Sequence, residues 1–146
     1  MAHPTRTTND ENNRRQMRNR FDIRSARGQA MVEFVMIVPV LLVVLFGVIQ
    51  FGLAFKNYVT LTDAVRAGAR VAAVSRLSSD PTGDTVSKVD ASAADLDQSK
   101  LNVTVTSTWA HGDPVAVTAT YPYSISLLGV VVASGNLSST TTERVE

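Results

Sequence analysis

The sequence predicts an α+β fold in which one long N-terminal helix packs on a small antiparallel β-sheet. Residues 34–55 are all uncharged, and 18 of these 22 residues are apolar, which favours a long helix. From Leu101 onward, apolar and polar residues instead alternate with a period of two, the spacing of half-buried strands. A helical half followed by a strand-forming half favours two packed layers, helix on sheet.

Charge is distributed unevenly along the 146-residue chain. Residues 1–28 carry seven arginines and three acidic residues, a net charge of +4, whereas residues 29–146 carry a net charge of −3. The total of +1 gives the chain no strong attraction to nucleic acid, and we expect no nucleic-acid partner. The absence of cysteine excludes a disulfide scaffold, a thiolate metal site and a cysteine nucleophile.

The uncharged segment 34–55 has the length of a membrane span. A helix of this length extends about 33 Å, against about 30 Å for the hydrocarbon core of a bilayer. A buried helix of a soluble protein is the alternative, but such a helix is seldom apolar on every face. A cleaved secretory signal peptide fits poorly, since its apolar core has about 7 to 15 residues. We therefore predict a transmembrane helix over residues 29–55.

The basic residues around this helix predict its orientation. Six arginines precede the apolar segment within about 20 residues, and only Lys56, Arg66 and Arg70 follow it at that distance. This bias predicts a single-pass protein of the cytoplasmic membrane, with the N-terminus in the cytoplasm and the C-terminal domain outside. Residues 1–28 have few apolar groups, so we predict a basic, disordered cytoplasmic leader.

The helical pattern continues beyond the membrane segment and becomes amphipathic. We predict one helix from about Ala30 to about Arg76, with residues 56–76 as its amphipathic outer half. Small residues recur at every fourth position of this half and form a smooth strip: Ala64, Gly68 and Ala72. Such a strip permits close packing, either against a helix of another molecule or against the protein's own C-terminal domain.

Residues 77–100 connect the helix to the sheet, and we predict a loop with one short helix near 85–97. Five aspartates lie in this connector: Asp80, Asp84, Asp90, Asp95 and Asp97. Carboxylates bind calcium, but these match no twelve-residue calcium loop, so a solvated acidic connector is the stronger interpretation.

Residues 101–146 are predicted to form the small antiparallel β-domain. Two alternating runs flank a turn and predict a β-hairpin: 101–106, the turn at 110–114, and 115–118. A third apolar run at 127–132 and a final polar strand at 136–145 would complete the sheet. The amphipathic half of the helix is the obvious cover for its apolar face.

No catalytic set of residues is visible, and we predict that the protein is not an enzyme. The two histidines, His3 and His111, fall in the basic leader and in the predicted hairpin turn, and without cysteine they are too few for a zinc site. The sequence has no glycine-rich phosphate loop. We expect no metal, no cofactor and no small-molecule substrate.

Glu33 is the only charged residue between Arg27 and Lys56. An ionised carboxylate within a membrane usually has a partner or a function, because its exposure to lipid is unfavourable. Alternatively, Glu33 lies among the lipid headgroups and interacts with the positive end of the helix. Its position alone favours neither explanation.

The residues around Glu33 resemble a type IV prepilin processing site: Arg27-Gly28-Gln29-Ala30-Met31-Val32-Glu33-Phe34-Val35. A basic leader, a glycine, four residues, and then a glutamate followed by an aromatic residue begin a long apolar helix. More specifically, the pattern is similar to that of the TadE-like pseudopilins of tight-adherence (Flp-type) pilus systems. Further similarity lies in the segments 66–73, 109–115 and 143–146.

This resemblance implies a pilin-like fold and the function of a minor pseudopilin, a structural component in the assembly of a tight-adherence pilus. Prepilin peptidase would cut between Gly28 and Gln29, although a small residue is more usual at position 29. Glu33, followed by Phe34, would then pair with the new amine of its own or a neighbouring chain and set the helix register. Implied partners are prepilin peptidase, other pilins or pseudopilins, and the pilus assembly platform, contacted through the N-terminal helix.

A second hypothesis is an uncleaved, signal-anchored binding module that displays its β-domain at the cell surface. Trp109, Tyr121 and Tyr123 would then form an aromatic contact patch, although core packing is the commoner role of such residues. An anchored enzyme is the third and weakest hypothesis.

Overall fold

The computed structural model describes the backbone of residues 8–127 and 129–146, and the side chains of residues 28–127 and 129–146. These described residues form two helices and three strands: α1 (Thr8–Val74), α2 (Pro81–Ser92), β1 (Asn102–Ser107), β2 (Pro114–Leu127) and β3 (Val130–Arg144). The strands form one antiparallel sheet in the order β1-β2-β3. The predicted fold class, a long N-terminal helix packed on a small antiparallel sheet, is confirmed.

The chain divides into two compact units, Met1–Leu45 and Phe46–Glu146. In the first unit, the described residues belong to α1 alone. The second unit comprises the remainder of α1, the connector with α2, and the whole sheet. Among the described side chains, the hydrophobic core lies in this second unit.

Helix α1 begins much earlier than the sequence analysis predicted. It starts at Thr8 rather than near Ala30, so the prediction of a disordered leader is corrected for residues 8–27. Arginine, glutamine, methionine and alanine favour helix in this stretch, and no proline stands between Pro4 and Pro39. Extending an existing helix also avoids the cost of nucleating a new one. The prediction for the first seven residues falls outside the described part of the chain.

The connector holds one short helix, as predicted, but this helix starts before residue 85. It begins at Pro81 because the Asp80 carboxylate accepts a hydrogen bond from the backbone N–H of Gly83 at 2.8 Å and so caps it. Proline is well placed in the first helical turn, where a backbone N–H would have no partner within the helix. The Asp-Pro pair, interpreted from the sequence as part of a loop, is therefore a helix start.

The predicted hairpin is confirmed by the pairing of β1 with β2. Val103 lies opposite Ala119, and Val105 lies opposite Val117, so the alternating apolar residues of both strands share one face. The other face is polar, and Thr118 Oγ1 lies 2.9 Å from Thr140 Oγ1 across the β2–β3 pair.

The apolar run at 127–132 is not a strand of its own, which corrects the prediction. Strand β2 continues to Leu127, which pairs with Val130 at the start of β3, so the run crosses a hairpin turn. Gly129 in this turn has a φ of +86°, a conformation that glycine adopts without steric cost. The apolar run continues through the turn in the sequence, and Gly129 is the only residue there that indicates a turn.

The amphipathic half of α1 and one face of the sheet enclose the core, as predicted, and α2 also contributes to it. The fully buried apolar residues come from all three: Leu61, Ala64, Val65, Ala69, Ala72, Val89, Ala93, Val115, Val117 and Ala119. Leu101, Val103, Val105, Trp109 and Leu137 pack around them. Burial of this surface from water is the main favourable term in the folding of the second unit.

Candidate processing site and helix-packing surfaces

The residues of the predicted processing site lie in α1, within the first unit. Gly28, Gln29, Glu33 and Phe34 are all exposed. The space beside Gly28 is open, since a Cβ placed there would have no neighbouring atom within 4 Å. The side-chain amide of Gln29 donates a hydrogen bond to Glu33 Oε1 at 3.3 Å, one helical turn further along. The predicted scissile bond is therefore sterically accessible, although its backbone is helical.

A peptide bond within a helix must be locally unwound before it can enter a protease active site. Glycine makes this unwinding easier, because a glycine in a helix interior is less favourable than alanine by about 0.5–1 kcal/mol. Gly28 stands next to the predicted cut and so lowers the cost of opening the helix there. Its exposed position also leaves room for an approaching enzyme.

Among the described residues, one helix is long and apolar enough to cross a membrane. This is Gly28–Val74, whose most apolar window has a mean hydropathy of 2.9. None of that window is buried within the protein, in contrast to the core helix of a soluble protein. Phe34 and Phe51, for example, are each 67% exposed. Such an apolar surface requires lipid or another protein to cover it.

The strip of small residues on α1 is covered by the protein itself. Ala64 and Ala72 are fully buried, and a Cβ at Gly68 would overlap Val89 Cγ2 of α2. The backbone at Gly68 therefore approaches α2 more closely than any residue with a side chain would allow. The strip is thus buried within the protein, with Gly68 packed against α2 of the connector.

Residues 28–70 match the TadE-like protein family. The match begins at Gly28 and includes both Glu33 and Phe34, which confirms the resemblance found in the sequence. This family indicates a role in the assembly of a tight-adherence (Flp-type) pilus, in a membrane context, and its members are generally structural components. No curated protein and no solved structure matches the chain. The similar segments 109–115 and 143–146 lie outside the TadE-like match.

Beyond the TadE-like segment, four of the five connector aspartates contact other groups of the protein. Asp80 caps α2, and Asp84 accepts a hydrogen bond from the Ser78 hydroxyl. Asp95 forms an exposed ion pair with Lys56 of α1, with 3.4 Å between Oδ2 and Nζ. In the described part of the chain, no three potential metal ligands come together. These contacts give the acidic connector a structural role.

The fourth of these aspartates, Asp97, is held ionised by its neighbours. Its Oδ1 accepts hydrogen bonds from the Ser99 hydroxyl at 2.6 Å and from the Ser99 backbone N–H at 3.1 Å, while Lys100 Nζ lies 2.9 Å from Oδ2. These bonds, chiefly that from the Ser99 hydroxyl, lower the pKa of Asp97 from 3.8 to about 2, and the Asp97 carboxylate raises the pKa of Lys100. The cluster is exposed and orders the turn that leads into β1.

The segments 109–115 and 143–146 meet each other in the structure. The Gly112 backbone N–H donates to the Val145 carbonyl at 2.8 Å, and the Val145 N–H donates to the Asp113 carbonyl at 2.9 Å. Val145 is buried, and the backbone N–H of Glu146 donates to the Ala73 carbonyl of α1 at 2.8 Å. These contacts anchor the chain beside the hairpin turn and the outer end of α1. In the sequence, only the apolar character of Val145 indicates these contacts.

The aromatic residues considered for a binding patch do not form one. Tyr121 is buried in the core, where its hydroxyl accepts a hydrogen bond from the Asp97 backbone N–H at 3.4 Å. Trp109 also packs against the core, and Tyr123 is half-buried beside a cleft between α1 and β2. His111 is an exposed residue of the hairpin turn, as predicted. Core packing, the commoner role of such residues, is therefore the role of Trp109 and Tyr121.

Proposed function

We propose that this protein is a minor pseudopilin that takes part in assembling a tight-adherence pilus and is matured by prepilin peptidase between Gly28 and Gln29. The observation that carries this proposal is the start of the TadE-like match at Gly28, where a basic leader of net charge +4 meets an apolar helix. Cleavage would remove the leader and release residues 29–146 as the mature chain.

The distribution of charge supports a cytoplasmic N-terminus. Six arginines precede the apolar segment within about 20 residues, twice as many as the basic residues that follow it at that distance. On the C-terminal side, Lys56 pairs with Asp95, and Asp97 pairs with Lys100, so those basic charges are offset. The proposed topology places the peptidase-sensitive bond near the cytoplasmic face and the β-domain on the opposite side.

Glu33 is proposed to set the register between neighbouring helices. In the uncleaved chain its carboxylate reaches back one turn to the side chain of Gln29. Cleavage would place a positively charged amine on Gln29, within reach of Glu33 of the same chain or of a neighbouring one. A charge pair of this kind would reduce the cost of a carboxylate in apolar surroundings, which is about 3 kcal/mol when it is unpaired at the centre of a membrane helix.

The exposed apolar side chains of α1 form the proposed contact surface for other pilins or pseudopilins and for the assembly platform. Large residues along the segment remain uncovered by the protein, such as Leu41 at 62% and Leu45 at 50% exposure. Lipid covers this surface in the membrane, and helices of other subunits replace lipid in an assembly. The strip of small residues is already buried within the protein, so the exposed apolar segment is the surface proposed for partners.

Replacing Gly28 with valine tests the proposed processing. A branched side chain beside the cut should block cleavage, because it stiffens the helix and crowds the scissile bond. Gly47→Val is the matched control, since Gly47 also lies in α1 with no atom within 4 Å of a Cβ, but downstream of the cut. An antibody against the β-domain should detect the short form for wild type and Gly47→Val, and the full-length form for Gly28→Val.

Two results would count against the proposal. Normal trimming of Gly28→Val would show that the cut lies elsewhere. A wild-type chain that keeps its leader in cells containing the peptidase would favour the uncleaved, signal-anchored module instead.

A further inference from the structure

Strand β2 runs along α1 toward the apolar segment of that helix. The backbone N–H of Glu146, just beyond β3, bonds to the Ala73 carbonyl and so places that end of the β2–β3 pair at the outer end of α1. Further along β2, residues 121–124 face Leu53 and Ala54 across a cleft of about 410 Å³. All of these residues belong to the second unit.

The cleft lies where the apolar segment of α1 gives way to charged residues. Phe55 is the last residue of the uncharged segment, and Lys56 pairs with Asp95. Lys100 lines the cleft and pairs with Asp97. These exposed charges mark the aqueous side of the cleft, and α1 carries no charge in the opposite direction until Glu33.

Beyond the cleft, the β2–β3 hairpin is apolar on both faces. Strand β3 begins with Val130, Val131 and Val132, which are 66%, 59% and 55% exposed. Successive residues of a strand point to opposite faces, so Val130 and Val131, which pair with Leu127 and Ser126, expose apolar surface on both. No charged residue stands between Asp113 and Glu143. In water, this surface would remain uncovered.

The hairpin tip, defined as Leu127, Val130, Val131 and Val132, extends beyond the charged residues beside the cleft. From Ser124 at the cleft, β2 continues to Leu127, a rise of about 10 Å at about 3.4 Å per residue. On α1 the same distance corresponds to about seven residues. A hairpin that continues in the same direction therefore reaches the depth of the outer part of the apolar segment.

We propose that the hairpin tip inserts into the bilayer that α1 spans and forms a second membrane contact of the protein. Lipid is the favoured occupant because the tip lies at the same height as the uncharged segment of α1 and exposes apolar residues on both faces. The tip also offers no charged group to a protein partner. Tyr123, half-buried at the cleft, has the amphipathic ring typical of the membrane interface. The inference rests on the membrane span within the proposed function, and not on cleavage at Gly28.

Single-cysteine labelling tests this insertion directly, since the natural chain contains no cysteine. The full-length chain would carry an environment-sensitive fluorophore at Val130→Cys or Val131→Cys, in vesicles of phosphatidylethanolamine and phosphatidylglycerol. Leu41→Cys in α1 is the reference for lipid, and Thr142→Cys, exposed on β3, is the reference for water. We expect both tip probes to shift to the blue and to lose fluorescence to nitroxide-labelled acyl chains about as strongly as Leu41→Cys, while Thr142→Cys does neither.

Other results would overturn the inference in distinguishable ways. Tip probes that stay water-like while Leu41→Cys is quenched would refute insertion and leave the membrane span intact. Tip probes that shift to the blue without lipid quenching, in proportion to protein density, would show that a second copy covers the tip instead. An unquenched Leu41→Cys would refute the membrane span itself.

Discussion

The side-chain amide of Gln29 donates a hydrogen bond to Glu33 Oε1 at 3.3 Å. The two residues lie one turn apart on α1, at the start of its apolar segment. The side chain at position 29 therefore reaches the Glu33 carboxylate in the uncleaved chain. Gln29 thus provides Glu33 with a hydrogen-bond partner in the uncleaved chain.

Glu33→Gln should separate processing from assembly. Glu33 lies five residues from the proposed cut, so the variant should still be trimmed, but a neutral amide does not neutralise the new amine. We expect cross-linked complexes with other pilins to fall at least several-fold, measured in membranes beside the extent of trimming. Gln29→Ala is the control and should be trimmed and assembled normally. Normal complex formation by Glu33→Gln would rule out the register role.

Gly68→Ala should destabilise the second unit. The new Cβ would overlap Val89 Cγ2, and overpacking of this kind typically costs about 1–3 kcal/mol. Gly52→Ala is the matched control, because a Cβ there meets no atom within 4 Å and alanine is the better helix former. Thermal unfolding of the detergent-solubilised protein should show a lower Tm for Gly68→Ala only.

The same contact can be tested by a double-mutant cycle with Val89→Ala. Removing Cγ2 of Val89 gives the Cβ of Gly68→Ala the space it lacks in the wild type. The loss of unfolding free energy in the double variant should therefore be smaller than the sum of the two single losses, by about 0.5–3 kcal/mol. Strict additivity would mean that Gly68 and Val89 do not interact.

Val145→Ala should destabilise the protein although the residue lies next to the end of the chain. Val145 is 1% exposed, and burial of a valine side chain contributes about 1.5–3 kcal/mol. Leu77→Ala provides the comparison, since Leu77 is 88% exposed and should change the free energy of unfolding little. Chemical denaturation of both variants measures the difference. Equal stability of the two would show that Val145 does not belong to the core.

The carboxylate of Asp97 should titrate well below an ordinary aspartate. Its pKa is lowered to about 2, first by the Ser99 hydroxyl and then by Lys100, so the folded state favours the ionised form. The stabilisation is fully present above the unfolded-state pKa near 3.8, and it is lost as the pH falls through about 2. Carboxyl NMR titration should show a larger upward shift for Ser99→Ala than for Lys100→Gln. The reverse order would contradict the role given to the Ser99 hydroxyl.

The long helix and the first hairpin were predictable because each follows from a repeating pattern along the chain. The uncharged segment predicts the long helix, and the alternation after Leu101 predicts the hairpin. Neither prediction depends on contacts with residues distant in sequence. The start of α2 was not predictable in this way. Asp80-Pro81 is typical of a loop and also of a helix cap, and the local sequence does not distinguish the two.

The proposed processing site also rests on a local pattern, because its glycine, glutamate and aromatic residue lie within seven positions from Gly28. Long-range contacts left no such signal. The close approach of Gly68 to Val89, and the bond from Glu146 to Ala73, join residues that are distant in sequence. The apolar pattern of residues 127–132 also does not distinguish a continuous strand from a hairpin with a turn at Gly129.

The intact mass of the protein extracted from membranes decides whether Gly28 is a processing site. In cells that contain the cognate prepilin peptidase, the mass should equal that of residues 29–146, with a free amine on Gln29. In otherwise identical cells that lack the peptidase, the mass should equal that of the full 146-residue chain. A chain that begins at Met1 in both strains, or one cut at another bond, would refute processing at Gly28.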